Sequence, residues 1–130
     1  MSVSVFNPHR HSIPRVPFSK IAQTILGKQY SLSVIFVDSK TIRRLNKVYR
    51  GIDKPTDILS FSINKQTGEV YMAVAEVRKK ARLFKTTYTV YLPYLFIHGV
   101  LHLKGYAHSR RMELLEHKYC KAFSIPPLVN

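Results

Sequence analysis

The feature that most restricts this chain is the stretch His98-Gly99-Val100-Leu101-His102-Leu103-Lys104-Gly105-Tyr106-Ala107-His108. It ends an apolar run from about Tyr91 to Lys104, which reads as a helix. The run is too short to span a bilayer and carries two histidines. Pro93 suits that helix only within its first turn. His98 and His102 stand at i and i+4, so both imidazoles leave one helix face. Gly105 is a natural C-terminal cap, and the sharp turn it permits brings His108 back beside the pair.

Three neutral imidazoles converging from a helix and a turn suit a zinc ion with its fourth position open to water. The spacing H-x-x-x-H-x-x-G-x-x-H is that of the metzincin peptidases. Their general-base Glu is replaced by Gly99, so the ligand set is kept while the peptidase base is lost. The alternative, three unrelated histidines on an apolar helix and its exit, is disfavoured by the glycine between them. Three ligands without a nearby cysteine favour a catalytic site over a closed structural one. Nickel and copper also accept three imidazoles. No carboxylate cluster accompanies the histidines in the sequence, which argues against a two-metal site.

The remaining elements follow from periodicity and turn residues. Residues 2–6 alternate as an edge strand, and Phe18 to Leu26 has helical spacing closed by Gly27. Leu32 to Val37 reads as a central strand. Asp38 or Ser39 then caps a helix to about Tyr49, with Ile42, Leu45 and Tyr49 as its buried face. Arg43, Arg44, Lys47 and Arg50 lie largely off that stripe, and Gly51 ends the helix. Ile58 to Ile63 and Glu69 to Ala75 read as a hairpin around Lys65-Gln66-Thr67-Gly68. Val74 to Phe84 is a helix with a basic exterior, equally suited to solvent and to RNA. Ser109 caps a last helix to about Phe123, whose apolar stripe includes Met112, Leu115 and Tyr119. The order implies one α+β domain over residues 1–130, a small mixed β-sheet covered by helices with a zincin-like histidine-bearing helix.

Charge narrows the partners. Lys plus Arg number 21 against 7 Asp plus Glu, a net charge of +14. Such a field attracts polyanions, and nucleic acid is the obvious one. Charge does not separate RNA from DNA. A membrane-surface role lacks an amphipathic helix with a large exposed apolar face. The single Cys120 cannot form an internal disulfide, so a reducing compartment is expected. No charged start followed by an apolar run is visible at the beginning.

A second segment, from Asn46 through Tyr49-Arg50-Gly51-Ile52-Asp53-Lys54-Pro55-Thr56-Asp57-Ile58-Leu59-Ser60-Phe61, packs Arg50, Lys54 and several hydroxyls into a helix-to-strand loop. Arginine suits bidentate phosphate contact and the charge that develops on a phosphorane. An ordinary polar loop, with Asp53 and Asp57 making local turns, is the competing reading.

Together these two segments, with Gly68-Glu69-Val70 opening a strand, resemble the YbeY family of bacterial rRNA maturation factors. The resemblance covers most of the chain. It implies a single-strand-specific, metal-dependent endoribonuclease of the cytoplasm, with a role in small-subunit (16S) rRNA 3′-end maturation and ribosome quality control. It implies one zinc per chain at His98, His102 and His108, and a functional Arg50. On this reading His98 and Arg50 are catalytic, and Arg50 and Lys54 contact the substrate. The partners are then RNA of the small ribosomal subunit, with no membrane and no DNA expected. Ala107 stands where bacterial members usually carry Asp, and Glu69 replaces a more usual Asp. An acidic stretch common in the family is missing. A metal-stabilised RNA-binding assembly factor without cleavage is the alternative, and a hydrolase of peptides or small molecules is a third reading.

Overall fold

Short polar caps and three glycines set the element ends. The computed structural model describes residues 2–128; residues 1, 129 and 130 of the expected domain lie outside that description. In chain order the elements are β1 (Ser2–Phe6), α1 (Phe18–Leu26), β2 (Ser31–Val37), α2 (Ser39–Arg50), β3 (Ile58–Asn64), β4 (Thr67–Ala73), α3 (Val74–Leu83), α4 (Tyr88–Lys104) and α5 (Arg110–Ala122). Asp38 caps α2 by accepting from the Thr41 N–H at 2.8 Å. Thr87 and Ser109 cap α4 and α5 in the same way. Each such cap contributes about 1 kcal/mol. Gly51 and Gly105 end α2 and α4 at φ +70° and +111°, a region that side chains with a Cβ rarely adopt.

The sheet order is β1-β2-β4-β3. β1 and β4 flank β2 in parallel, and β3 joins β4 as an antiparallel hairpin on the far edge. The hairpin turn is tighter than the sequence suggests, because Thr67 and Gly68 already pair within the ladder. Asn64 closes the turn locally, its side-chain oxygen accepting from the Gln66 N–H at 2.9 Å.

Alternation divides the sheet into two unlike faces. Leu32, Val34, Phe36, Val70 and Met72 are buried on one face, where α1 and α4 add Ile21, Leu92, Phe96, Ile97 and Val100. Full burial of each such side chain is worth about 1.5–3 kcal/mol. On the other face α2 covers a smaller cluster of Val37, Ile42, Leu59 and Ala73, while Ile35, Phe61 and Tyr71 stay half-buried.

Two local expectations are corrected. Pro93 lies inside α4, beyond its first turn. The helix starts earlier than the apolar run because Thr87 caps it and Tyr88 packs beneath it, donating its hydroxyl to the Ser12 carbonyl at 2.7 Å. α2 buries Ile42 and Asn46 and half-buries Leu45, but leaves Tyr49 65% exposed. Asn46 is drawn inward because its amide donates to the Lys54 carbonyl at 2.9 Å. Tyr49 falls one turn beyond Leu45 and Asn46, and there its ring meets Phe61 of the edge strand.

Candidate metal centre

α4 presents His98 and His102 from one face, and the αL turn at Gly105 returns the chain so that His108 joins them. The three ring centroids lie 4.6, 4.7 and 5.0 Å apart, and one ligand nitrogen from each ring falls within 4.8 Å of the others.

The hydrogen bonds on the far side of two rings set the tautomer of their neutral forms. His102 Nδ1 faces the Tyr106 carbonyl at 2.8 Å, and a carbonyl only accepts. His98 Nδ1 faces the Glu116 carboxylate in the same sense. Each Nδ1 therefore carries a proton, and in a neutral ring each Nε2 is left as a bare lone pair. Those two Nε2 atoms point at each other 3.1 Å apart. Two lone pairs repel at that distance unless a proton or a metal ion lies between them. Two nitrogens bound tetrahedrally at ~2.0–2.1 Å to one ion sit about 3.3 Å apart, so the geometry fits a small nitrogen-preferring metal ion. Burial, which outweighs the Tyr106 hydrogen bond, lowers the His102 pKa and favours the neutral, ligating form.

Glu116 was not legible as a site residue. It is 6% exposed on α5, on the buried face between Met112 and Cys120. Its second oxygen accepts from the Tyr94 hydroxyl at 3.3 Å. Burial and the Glu116 charge hold the Tyr94 hydroxyl above the usual tyrosine range, so it remains a donor. The expected stripe of Met112, Leu115 and Tyr119 is thus rotated, with Leu115 and Tyr119 only half-buried. The signal available was a carboxylate at i+4 from one buried apolar residue and i−4 from another. Glu116 is a single carboxylate beside the histidines, not a cluster, and it is engaged with His98 and Tyr94. His108 is exposed and has no comparable hydrogen bond among the described residues. Its neighbour Ala107 offers no carboxylate.

Gly99 is fixed by packing. A Cβ there would meet the Ile58 Cδ1 at 2.6 Å and the Ser60 Oγ at 3.0 Å. The Ser60 hydroxyl donates to the Gly99 carbonyl at 3.0 Å, tying α4 to β3 at the metal centre. A side chain at the position that holds Glu in metzincins would have to displace Ile58 and Ser60 here.

A cleft of about 890 Å³ runs from the histidines along β3 to the end of α2. Its lining includes His98, His102, His108, Arg50, Lys80 and Phe61. Arg50 is exposed at the last residue of α2 and has no carboxylate partner among the described residues. Lys80, on the basic exterior of α3, also reaches the cleft. Lys54 does not: its side chain is exposed outside the lining, and its main-chain carbonyl serves Asn46. Asp57 holds the Arg50 loop against the histidine helix. It accepts from the Tyr91 hydroxyl at 2.9 Å, while its own carbonyl takes the Ala73 N–H at 3.0 Å. Burial first, then the Asp57 charge, keeps the Tyr91 hydroxyl protonated. No helix among the described residues is long and apolar enough to cross a membrane.

Comparison with known proteins agrees with this architecture. The family model for endoribonuclease YbeY matches residues 8–123. Endoribonuclease YbeY of Aliarcobacter butzleri is 34% identical over 95% of this chain and 94% of its own length. The corresponding protein of Acholeplasma laidlawii is 33% identical over 87% of this chain and 86% of its own. The solution structure of TM1509 from Thermotoga maritima superposes with a TM-score of 0.61 at 27% identity, covering 92% of this chain and 87% of that one. The chain belongs to the endoribonuclease YbeY family.

Proposed function

We propose that this protein is a zinc-dependent endoribonuclease that cuts single-stranded RNA, acting in the cytoplasm on small-subunit rRNA during 3′-end maturation and quality control. The observation that carries the metal reading is the convergence of one ring nitrogen each from His98, His102 and His108 within 4.8 Å, with the Nδ1 atoms of His98 and His102 engaged behind them. His98, His102 and His108 would hold one zinc ion per chain. When bound, zinc supplies Lewis acidity, which brings the proton of a water or a 2′-hydroxyl within reach at neutral pH.

This chain's own groups do the rest. Glu116 holds the His98 ring in one tautomer and orientation. Arg50 lies across the cleft from the histidines, suited to neutralise charge that develops on the phosphoryl oxygens. Lys80 adds a second cation to the cleft, and Lys54 contributes from outside it to the field that gathers RNA. Tyr91 and Asp57 keep the Arg50 loop in register with α4. Gly99 supports a substrate other than peptide, because it supplies no general-base carboxylate.

The test is cleavage of an end-labelled single-stranded RNA with and without chelator, comparing the native protein with His98→Ala. Cleavage that chelator stops, that zinc restores and that the variant lacks is the expected result. RNA and zinc binding without cleavage would overturn the nuclease reading and leave an assembly factor. The product ends report the attack: a 2′,3′-cyclic phosphate would exclude direct attack by water.

A further inference from the structure

Tyr49 is a large aromatic ring that the core does not use. It is 65% exposed at the end of α2, beside the exposed Val48 and next in sequence to Arg50. One side of the ring leans on Phe61, centroid to centroid 5.0 Å, and Phe61 in turn meets Tyr71 at 5.7 Å. Phe61 lines the histidine cleft together with Arg50. The three rings thus form a row on the α2 side of the sheet, with Phe61, its middle member, at the edge of the cleft.

The surroundings identify the occupant. α2 carries Lys40, Arg43, Arg44, Lys47 and Arg50 and no acidic residue. Arg43 is engaged by Asp53 at 2.9 Å, while Arg50 has no carboxylate partner among the described residues. Aromatic rings beside unneutralised cations match the alternation of flat bases and phosphates in a single strand. A duplex keeps its base faces stacked internally and cannot offer them.

We infer that Tyr49, backed by Phe61 and Tyr71, is a stacking platform for unpaired bases of an RNA whose phosphates run past Arg50 into the histidine cleft. This rests on the RNA reading above and deepens it: the platform is what would distinguish single-stranded from paired substrate. Stacking reads only the π-face of a base, so the preference is for unpaired structure and not for a sequence. Phe61 and Tyr71 are half-buried and support the platform, so Tyr49 is the ring to alter.

The experiment measures binding of a labelled single-stranded RNA and of a duplex of equal length, with chelator present to stop cleavage. Native protein, Tyr49→Ala and Tyr49→Phe are compared, and a 2-aminopurine base in the strand reports stacking. The platform predicts about 10-fold to 100-fold weaker single-strand binding for Tyr49→Ala. It also predicts loss of the 2-aminopurine quenching, unchanged duplex binding, and recovery in Tyr49→Phe. Equal weakening for both RNAs, or no change for either, would overturn it and leave the ring to a protein partner. Failure of the native protein to bind RNA at all would overturn the RNA reading itself and the platform with it. Chelator-sensitive cleavage that proceeds equally in native protein and Tyr49→Ala would sink the platform alone.

Discussion

At one end of the cleft, the two α4 histidines are each held from behind by an oxygen, Glu116 for His98 and the Tyr106 carbonyl for His102, on a helix that packs against Ile58 and Ser60 at Gly99. At the other end, Arg50 and Tyr49 stand exposed on the last turn of α2, with the loop beyond them held by Asp57 and Tyr91. The difference follows from what each end meets. A metal ion tolerates little error in ligand position, so its imidazoles need rigid partners. A phosphate-and-base chain is flexible and carries repeated charge, so cations that can follow it serve better than cations locked in place. One end is therefore broken by disturbing packing, and the other by removing charge or a ring.

The largest effect is expected from Gly99→Glu, which restores the metzincin pattern in the sequence. The new Cβ would fall 2.6 Å from the Ile58 Cδ1 and 3.0 Å from the Ser60 Oγ, and the longer side chain would be forced between α4 and β3. Overpacking of this contact, together with loss of the Ser60 bond to α4, costs about 3 kcal/mol or more, a large share of a small domain's stability. Urea unfolding should show a midpoint shifted far downward or no folded baseline. A variant as stable as the native protein would show that α4 does not press on β3 as described.

Arg50→Ala comes next and tests the exposed end. Losing one cation at developing phosphoryl charge should lower kcat about 10²-fold to 10³-fold. Zinc affinity should not change, because Arg50 makes no hydrogen bond or ion pair to a histidine among the described residues. If zinc affinity falls in parallel with cleavage, the two ends are not separable and the comparison fails.

Glu116→Gln tests the rigid end without emptying it. Gln keeps the volume and one accepting oxygen but loses the charge that holds the His98 Nδ1 proton. Zinc affinity, read by competition with a chromophoric chelator, should fall about 10-fold to 100-fold. Cleavage should recover at saturating zinc, and unfolding of the metal-free protein should move little. Unchanged zinc affinity would reduce Glu116 to a packing residue.

These two positions also show where the sequence was transparent. The histidine triad was legible because helix spacing and one glycine determine it locally, and the nine elements among the described residues followed from short-range periodicity. Glu116 was hidden because its role depends on how α5 docks against α4, residues 18 apart in sequence. Tyr49 was misplaced for a related reason. Helical spacing assigns it to the same stripe as Ile42, but the sheet beneath α2 ends at β3, and a stripe is buried only where something lies under it. Lys80 and the Asp57–Tyr91 link share that dependence on tertiary placement, whereas Arg50, which lines the cleft, stood in a dozen consecutive residues whose chemistry suited either a phosphate contact or an ordinary polar loop.

The smallest effect is expected at Lys54, and it sharpens the boundary of the exposed end. Lys54 shares its loop with Arg50 and carries the same charge, so sequence alone gives them similar roles. The structure separates them: Arg50 lines the cleft, while the Lys54 side chain lies outside it and its carbonyl anchors Asn46. A cation outside the cleft acts on RNA through long-range attraction, which salt screens within about 10 Å at 0.1 M ionic strength. Lys54→Ala should therefore leave kcat unchanged and weaken RNA binding by less than about 3-fold at moderate salt, with the difference vanishing as salt rises. The substitution keeps the carbonyl that Asn46 needs, so folding is spared. A loss in kcat approaching that of Arg50→Ala, persisting at high salt, would mean that the loop closes on bound RNA and carries Lys54 into the cleft, and the boundary drawn here would have to move with it.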